Sequence, residues 1–395
     1  MAGEQSIWLQ RVTRPGAAVF AIMFTLESLA RSVLAAIIPL QAYTILKEAR
    51  DVSLAYFSIA ILGFVASFVI PLLIRRYRRR WVYTTGVVML MASALSLASF
   101  TLVGQVAAML LRSLATACLN ITLSLYVLDY IHKSDLIRSE PLKLMMSAFS
   151  WTAGPSLGVY LYNRVGHGAA ALLSIVPAAV LLVYFWYLRI KDNPAVVAAT
   201  RPAPNPFRNI RRFVSQPRLR LGWFIPFSRS VWWGMFFVYP SIYMLQSGKG
   251  EMAAALLLSA GNAVLLGAVW IGRVAQRRGI RKLIIGAFAG AGVTTIAAAL
   301  AYDWPWVVAG LLLAGALNVM VLDGLGNIPF LRAVRPLERP QMATVFRTYI
   351  DAADLLPAAL YSALLSFFDI RAVFVACGLW MFVSAWVARH LPRRI

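Results

Sequence analysis

Twelve runs of about 20 mostly apolar residues, divided by short basic or proline-bearing breaks, constrain this chain more than anything else in it. They cover residues 17–45, 53–73, 81–103, 105–131, 142–162 and 168–190, then 218–245, 252–275, 282–302, 305–331, 341–368 and 371–389. An α-helix rises about 1.5 Å per residue, so each run can cross the hydrocarbon of a bilayer. No water there takes up backbone N–H and C=O groups, so an isolated segment must satisfy them as a helix. The expected fold is an all-α membrane protein of twelve transmembrane helices, numbered here spans 1 to 12. Composition agrees: 61% of the 395 residues are apolar and 13% charged, whereas a soluble domain is about half apolar and a quarter charged.

Charge sorting orients the spans. The 38 Lys and Arg against 15 Asp and Glu give a net +23, which in a soluble chain would point to nucleic acid. Here the basic residues arrive in clusters between apolar runs, so a lipid bilayer is the implied partner and nucleic acid is not. With both termini cytoplasmic, 29 of the 38 fall on that side. Lys47, Arg50, Arg164, Lys249 and Arg371 fall opposite, and Arg31, Arg112, Arg229 and Arg347 lie inside spans. This is the positive-inside pattern of a multi-pass protein of the cytoplasmic membrane. Span 1 carries Glu27, Arg31 and Pro39 with no small-residue cleavage site after it, so it reads as a span and not a signal peptide. Cys118 and Cys377 lie within apolar runs, and His132, His167 and His390 stand singly. Neither a disulfide framework nor a metal or cofactor site is expected.

Residues 191–217, rich in Pro and Arg, divide the chain into an N-terminal six-helix bundle (1–190), a cytoplasmic linker and a C-terminal six-helix bundle (218–395). A basic surface-lying helix is expected within the linker near 207–214. Features recur at about half the chain length. Arg31 in span 1 matches Arg229 in span 7, and the basic cluster from Arg75 matches that from Arg277. Val127-Leu128-Asp129 with Arg138 matches Val321-Leu322-Asp323 with Arg332. Three pairs in register make a parallel repeat.

Several motifs sit where one family has them. The loop after span 8 reads Gly272-Arg273-Val274-Ala275-Gln276-Arg277-Arg278-Gly279-Ile280-Arg281-Lys282. The loop after span 2 keeps Arg75, Arg76, Arg78, Arg79 and Arg80 but has Ile74 and Tyr77 at the acidic and glycine positions. Span 4 carries Leu110-Leu111-Arg112, and span 5 carries Ala153-Gly154-Pro155-Ser156-Leu157-Gly158-Val159. Over its whole length the chain resembles the major facilitator superfamily, a family of secondary transporters. The first loop is similar to the family's G-x-L-A-D-R-x-G-R-R/K motif, with Gln276 replacing the acid. Arg112 is similar to its span-4 arginine associated with proton coupling. The span-5 segment is similar to its G-P-x-x-G-G antiporter motif, with Val159 for the second glycine. The resemblance implies that spans 1, 4, 7 and 10 line a central pathway flanked by 5 and 11. It also implies latches near the cytoplasmic face, with Asp129 and Arg75 in one half and Asp323 and Arg277 in the other.

Charges inside spans are the functional signal, because an ionisable group at mid-bilayer costs about 2.5–3.5 kcal/mol and therefore faces an internal cavity. Glu27 and Arg31 share a face of span 1. They are either an ion pair that eases insertion or part of a substrate or proton site. Arg229 has no opposite charge within a turn of its own helix. Arg347, Asp351 and Asp354 form one stripe of span 11, leaving Asp354 with less compensation. Asn120 and Asn318 are ligands or interhelical glue. Trp151 and Trp233 can wall an organic substrate, although aromatic residues at such spacing also serve packing. Glycines in spans 8 to 10 (Gly261, Gly267, Gly286, Gly290, Gly292) read as close helix contacts.

The expected substrate site is thus Arg31, Arg229, Asn120, Asn318, Trp151 and Trp233. Glu27, Asp351, Asp354, Arg112 and Arg347 are the proton-coupling group. No Walker loop, HExxH or catalytic triad is present, so ATP is not the energy source and an enzyme is not expected. The expected activity is that of a monomeric secondary transporter, by proton antiport and efflux, for a small zwitterionic or anionic organic solute. The alternatives are uptake of an organic anion by symport or exchange, with Arg31 and Arg229 gripping it together, and a non-transporting receptor or scaffold.

Overall fold

A computed structural model describes residues 17–130, 133–188, 206–267, 271, 279–334 and 339–392. Within them the secondary structure is helical, without strands. Span 1 comprises two helices, Ala17–Val33 and Ile37–Leu46, broken at 34–36. Spans 2 to 6 are Ala49–Tyr77, Arg79–Ala98, Leu102–Tyr130, Lys133–Arg164 and His167–Tyr187. The linker contributes a short helix, Pro206–Val214. Span 7 is Pro217–Gln246, and span 8 is Gly250–Ala263 tightening into a 3-10 turn at Val264–Gly267. Span 9 is Ile280–Leu300, span 10 is Pro305–Leu325 followed by Ile328–Ala333, and spans 11 and 12 are Arg339–Leu364 and Ile370–Ala388.

The break in span 1 follows from Pro39. Proline supplies no N–H and its ring crowds the carbonyl four residues back, here Ala35. The chain answers with a tighter turn in which the Ala35 N–H donates to Ser32 O at 3.0 Å. Neighbouring helices then brace the segment. Gln105 donates to Ile38 O at 3.0 Å, Gln41 donates to Leu97 O at 2.9 Å, and Ser174 donates to Ala30 O at 2.6 Å.

Nine helices among the described residues are long and apolar enough to cross a membrane, and spans 5, 7 and 11 are not among them. Their lengths of 32, 30 and 26 residues suffice. What separates them is polarity, for they carry the Lys133–Lys143 charges, Arg218, Arg220 and Arg229, and Arg347, Asp351 and Asp354. Two of the three, spans 7 and 11, carry charges of the site described below.

Spans 1 and 5, 3 and 4, and 3 and 6 pack together, and so do their counterparts 7 and 11, 9 and 10, and 9 and 12. Between the halves, span 5 packs on span 8 and span 2 on span 11, a pairing that exchanges equivalent helices as a pseudo-twofold requires. One buried cluster (Phe20, Tyr83, Tyr126 and Phe185 among its members) fills the N-terminal half. In the C-terminal half Trp232 is wholly buried, stacked on Phe236, and donates to Thr295 at 3.0 Å. The linker helix seats Phe213 against Phe330 and leaves Arg211 and Arg212 exposed.

Of the glycines read as contact points, Gly261 meets Phe236, Gly267 meets Met320, Gly290 meets Asn318 and Gly292 meets Gly378. Gly286 faces open space and makes no such contact. A closer approach lies in the span-5 motif: Gly154 lies on Ser32, and Gly158 lies on the Val33 carbonyl beside the span-1 break. A Cβ at either position would collide with span 1, so only glycine lets the two backbones meet.

Candidate functional site

In the N-terminal half, Glu27 and Arg31 form an ion pair at 3.3 Å with the carboxylate fully buried. Arg112 arrives from span 4 and donates to the Arg31 main-chain oxygen at 2.7 Å. The break explains that acceptor, because the Ala35 N–H that would normally bond Arg31 O has turned to Ser32. Two arginines thus stand close together at span 1, and one of them is paired with a carboxylate. Arg31 Nε and Arg112 Nη1 are buried without a hydrogen-bond partner. The Arg31 guanidinium lies 5.9 Å from the centre of the Trp151 ring.

In the C-terminal half, Arg229 and Asp323 of span 10 approach to 3.3 Å. Trp233 donates to the other Asp323 oxygen at 2.9 Å, and Arg229 donates to the Tyr349 hydroxyl at 3.3 Å. Arg229, without an opposite charge on its own helix, finds Asp323 on span 10, and Asp323 is engaged inside its half by Arg229 and Trp233. Arg31 and Arg229 are each paired with an acid of their own half, Glu27 and Asp323. Asn318 donates to Ala314 O at 2.8 Å and packs on Gly290 of span 9, an interhelical contact. Asn120 is half-buried in span 4.

An aromatic bridge joins the two clusters. Trp151 of span 5 meets Phe237 of span 7 with centroids 5.4 Å apart, and Phe237 meets Trp233 at 5.8 Å. On span 11, Arg347 donates to Ser124 of span 4 at 3.0 Å, and Asp351 lies beside Ser67 of span 2, whose hydroxyl donates to Phe64 O at 2.7 Å. Asp354 is solvent-accessible, and the charges acting on it are Asp351 and, from the opposite half, Arg31. It therefore lines the space between the halves. Tyr349, Ser67 and Ser124 are the participants that sequence reasoning missed. Neutral polar residues on long helices carry no signal until the packing selects them, although Tyr349 does lie between Arg347 and Asp351. The Arg75 and Asp129 side chains and all of Arg277 lie outside the described residues.

Among the described residues, hydrogen bonds between the halves concentrate at the end bearing the turns after spans 1 and 7. Ser53 and Tyr239 pair at 2.8 Å in a buried contact, and Gln246 donates to Tyr43 at 3.0 Å. Ser156, inside the span-5 motif, donates to Ser259 of span 8 at 2.7 Å. Toward the other end, the Arg347–Ser124 contact is exposed.

Fold and site together define a polytopic carrier with paired charge clusters between two helical halves. The chain belongs to the Major Facilitator Superfamily, whose family model matches residues 20–352. No curated protein sequence matches it. Among solved structures it is similar to a POT family transporter in complex with a thioalcohol-conjugated peptide and to one in complex with 5-aminolevulinic acid. Each has a TM-score of 0.75 at 13% identity over 94% of both chains. It is also similar to the nucleoside transporter NupG, with a TM-score of 0.71 at 13% identity over 95% of this chain and 99% of that one. At that identity the likenesses show the shared fold. With the family match they make this protein a multi-pass membrane transporter and not an enzyme.

Proposed function

We propose that this protein is a proton-coupled secondary transporter that exports a small zwitterionic or anionic organic solute across the cytoplasmic membrane by alternating access. Twelve crossings with both termini cytoplasmic belong to this reading. The observation that carries it is the meeting of oppositely charged groups from both halves, Arg31 with Arg112 and Asp354 with Asp351, beside the Trp151–Phe237 contact. Charges placed in the membrane at such cost line a watery pathway. Proton entry to Asp354, Asp351 or Glu27 neutralises a carboxylate, changes its hold on the opposing cations and so biases the two access states. The span-5 glycines packed on span 1 beside Arg31 support exchange, because they join the flanking helix rigidly to the charged one. The solved relatives bind a peptide and 5-aminolevulinic acid or carry nucleosides, in keeping with a small polar organic cargo.

The test is proton movement in everted vesicles and in proteoliposomes of the purified protein. Solute addition should dissipate an imposed pH gradient, and Asp354→Asn combined with Glu27→Gln should abolish the effect. Flux indifferent to both the gradient and the substitutions would overturn the coupling. The surplus positive charge at Arg31 and Arg112 favours a second reading, uptake of an organic anion by symport; proton and solute would then move in the same direction. Binding without any flux would make the protein a receptor.

A further inference from the structure

The transport reading leaves the ligand's chemistry open, and the partners of each buried charge narrow it. Beside spans 1 and 4 there are two cations for one anion. Glu27 is occupied by Arg31, while Arg31 Nε and Arg112 Nη1 are buried without acceptors. Buried N–H groups in native proteins are almost always paired, and two on adjacent guanidiniums suit a pair of oxygens on one carbon, as in a carboxylate. Across the pathway the imbalance reverses. Asp351 has the attraction of Arg347, whereas Asp354 stands exposed, with Asp351 repelling and Arg31 attracting it from the other half. The C-terminal cations have other partners: Arg347 donates to Ser124 and attracts Asp351, and Arg229 is ion-paired with Asp323 and donates to Tyr349, although its Nε also lacks a hydrogen-bond acceptor. Trp151 and Phe237 stand beside the positive cluster and offer an apolar flank.

Resting on the transport reading, we propose that the ligand is an amino carboxylate bound lengthwise, its carboxylate on Arg31 and Arg112 and its ammonium on Asp354. One molecule then completes the charge balance of both halves. A simple organic anion would leave Asp354 without a counter-charge, and a simple cation would leave Arg31 Nε and Arg112 Nη1 without acceptors. Arg112 then acts as a ligand-binding residue, not only as a brace on span 1.

The test measures thermal stabilisation of the full-length protein in detergent by β-alanine, γ-aminobutyrate and dialanine. Their methyl esters and N-acetyl derivatives remove one charge at a time. At least one parent compound should raise the melting temperature, and both of its derivatives should bind about tenfold or more weakly, as for loss of a charge-assisted hydrogen bond. Arg112→Lys keeps the charge but loses the planar pair of donors; it should weaken the parent and leave the ester unaffected. Asp354→Asn should weaken the parent and leave the N-acetyl form unaffected. Using both variants covers the case in which one fails to fold. Esters or N-acetyl forms that stabilise as well as their parents would overturn the proposal, as would silence from all three parents. Neither outcome touches the transport reading, which fails separately if reconstituted protein shows no gradient-driven flux.

Discussion

The Arg112 guanidinium of span 4 holds the main-chain oxygen of Arg31 in span 1, a residue whose own side chain holds Glu27. The acceptor exists because Pro39 breaks the helix and diverts the Ala35 N–H to Ser32. A proline eight residues along the chain thus creates the docking point of an arginine from another helix.

Arg112→Ala should therefore cost about 1.5–3 kcal/mol of stability, the range for a hydrogen bond to a charged group. In a Pro39→Ala background, where the helix can close and reclaim the Arg31 oxygen, the same change should cost less. Denaturant titrations of the two single variants and the double variant, followed by tryptophan fluorescence, give the coupling, expected at about 0.5–3 kcal/mol. Strict additivity would mean that the break and the arginine are unrelated.

Gly158→Ala and Gly286→Ala form a matched pair. The first forces a methyl group onto the Val33 carbonyl, with no flexible side chain to yield. It should cost about 1–3 kcal/mol by overpacking, together with most of the transport activity. The second meets nothing, and alanine is the better helix former by about 0.8–1 kcal/mol. It should be neutral or stabilising. Equal effects in a melting experiment would contradict the close approach of spans 1 and 5.

Arg229 and Asp323 should behave as a unit. Removing either one strands a charge in a half-buried place, at a cost of up to about 3–5 kcal/mol, the range for breaking a buried pair. Arg229→Met with Asp323→Leu together should cost less than the two single changes summed. Expression in membranes and thermal stability of the three variants read this directly, and a double variant as poor as the sum would remove the pairing.

Ser156→Cys with Ser259→Cys, in a background with Cys118 and Cys377 replaced by Ala, should crosslink under mild oxidant. The native hydroxyl oxygens stand 2.7 Å apart, a separation that places the two Cβ atoms near disulfide range. Crosslinked protein should lose transport and recover it on reduction, because the joined helices belong to opposite halves. Full transport through the intact crosslink would show that this end never opens.

Hydropathy carries most of the fold, because a bilayer leaves one solution per segment, yet it passes over spans 7 and 11, whose charges give them their interest. Glu27 with Arg31 was legible since both lie on one helix four residues apart. Arg229 with Asp323 was not, because 94 residues separate partners that only packing brings together. Asn318 shows the converse. An amide in an expected pathway helix looks like a ligand until the neighbouring span presents Gly290 to it. Pro39 was visible as an interruption, but its effect on Arg31 depends on where Arg112 stands.

Trp232 and Trp233 are neighbours in sequence with opposite loyalties: one is tied to Thr295 behind span 7, the other to Asp323 beside the pathway. A helix pinned on two sides cannot spin about its own axis without breaking one of these bonds. In the proposed transport cycle spans 7, 9 and 10 should then move as one body, with labels among these three helices keeping their separations while labels across the divide move apart.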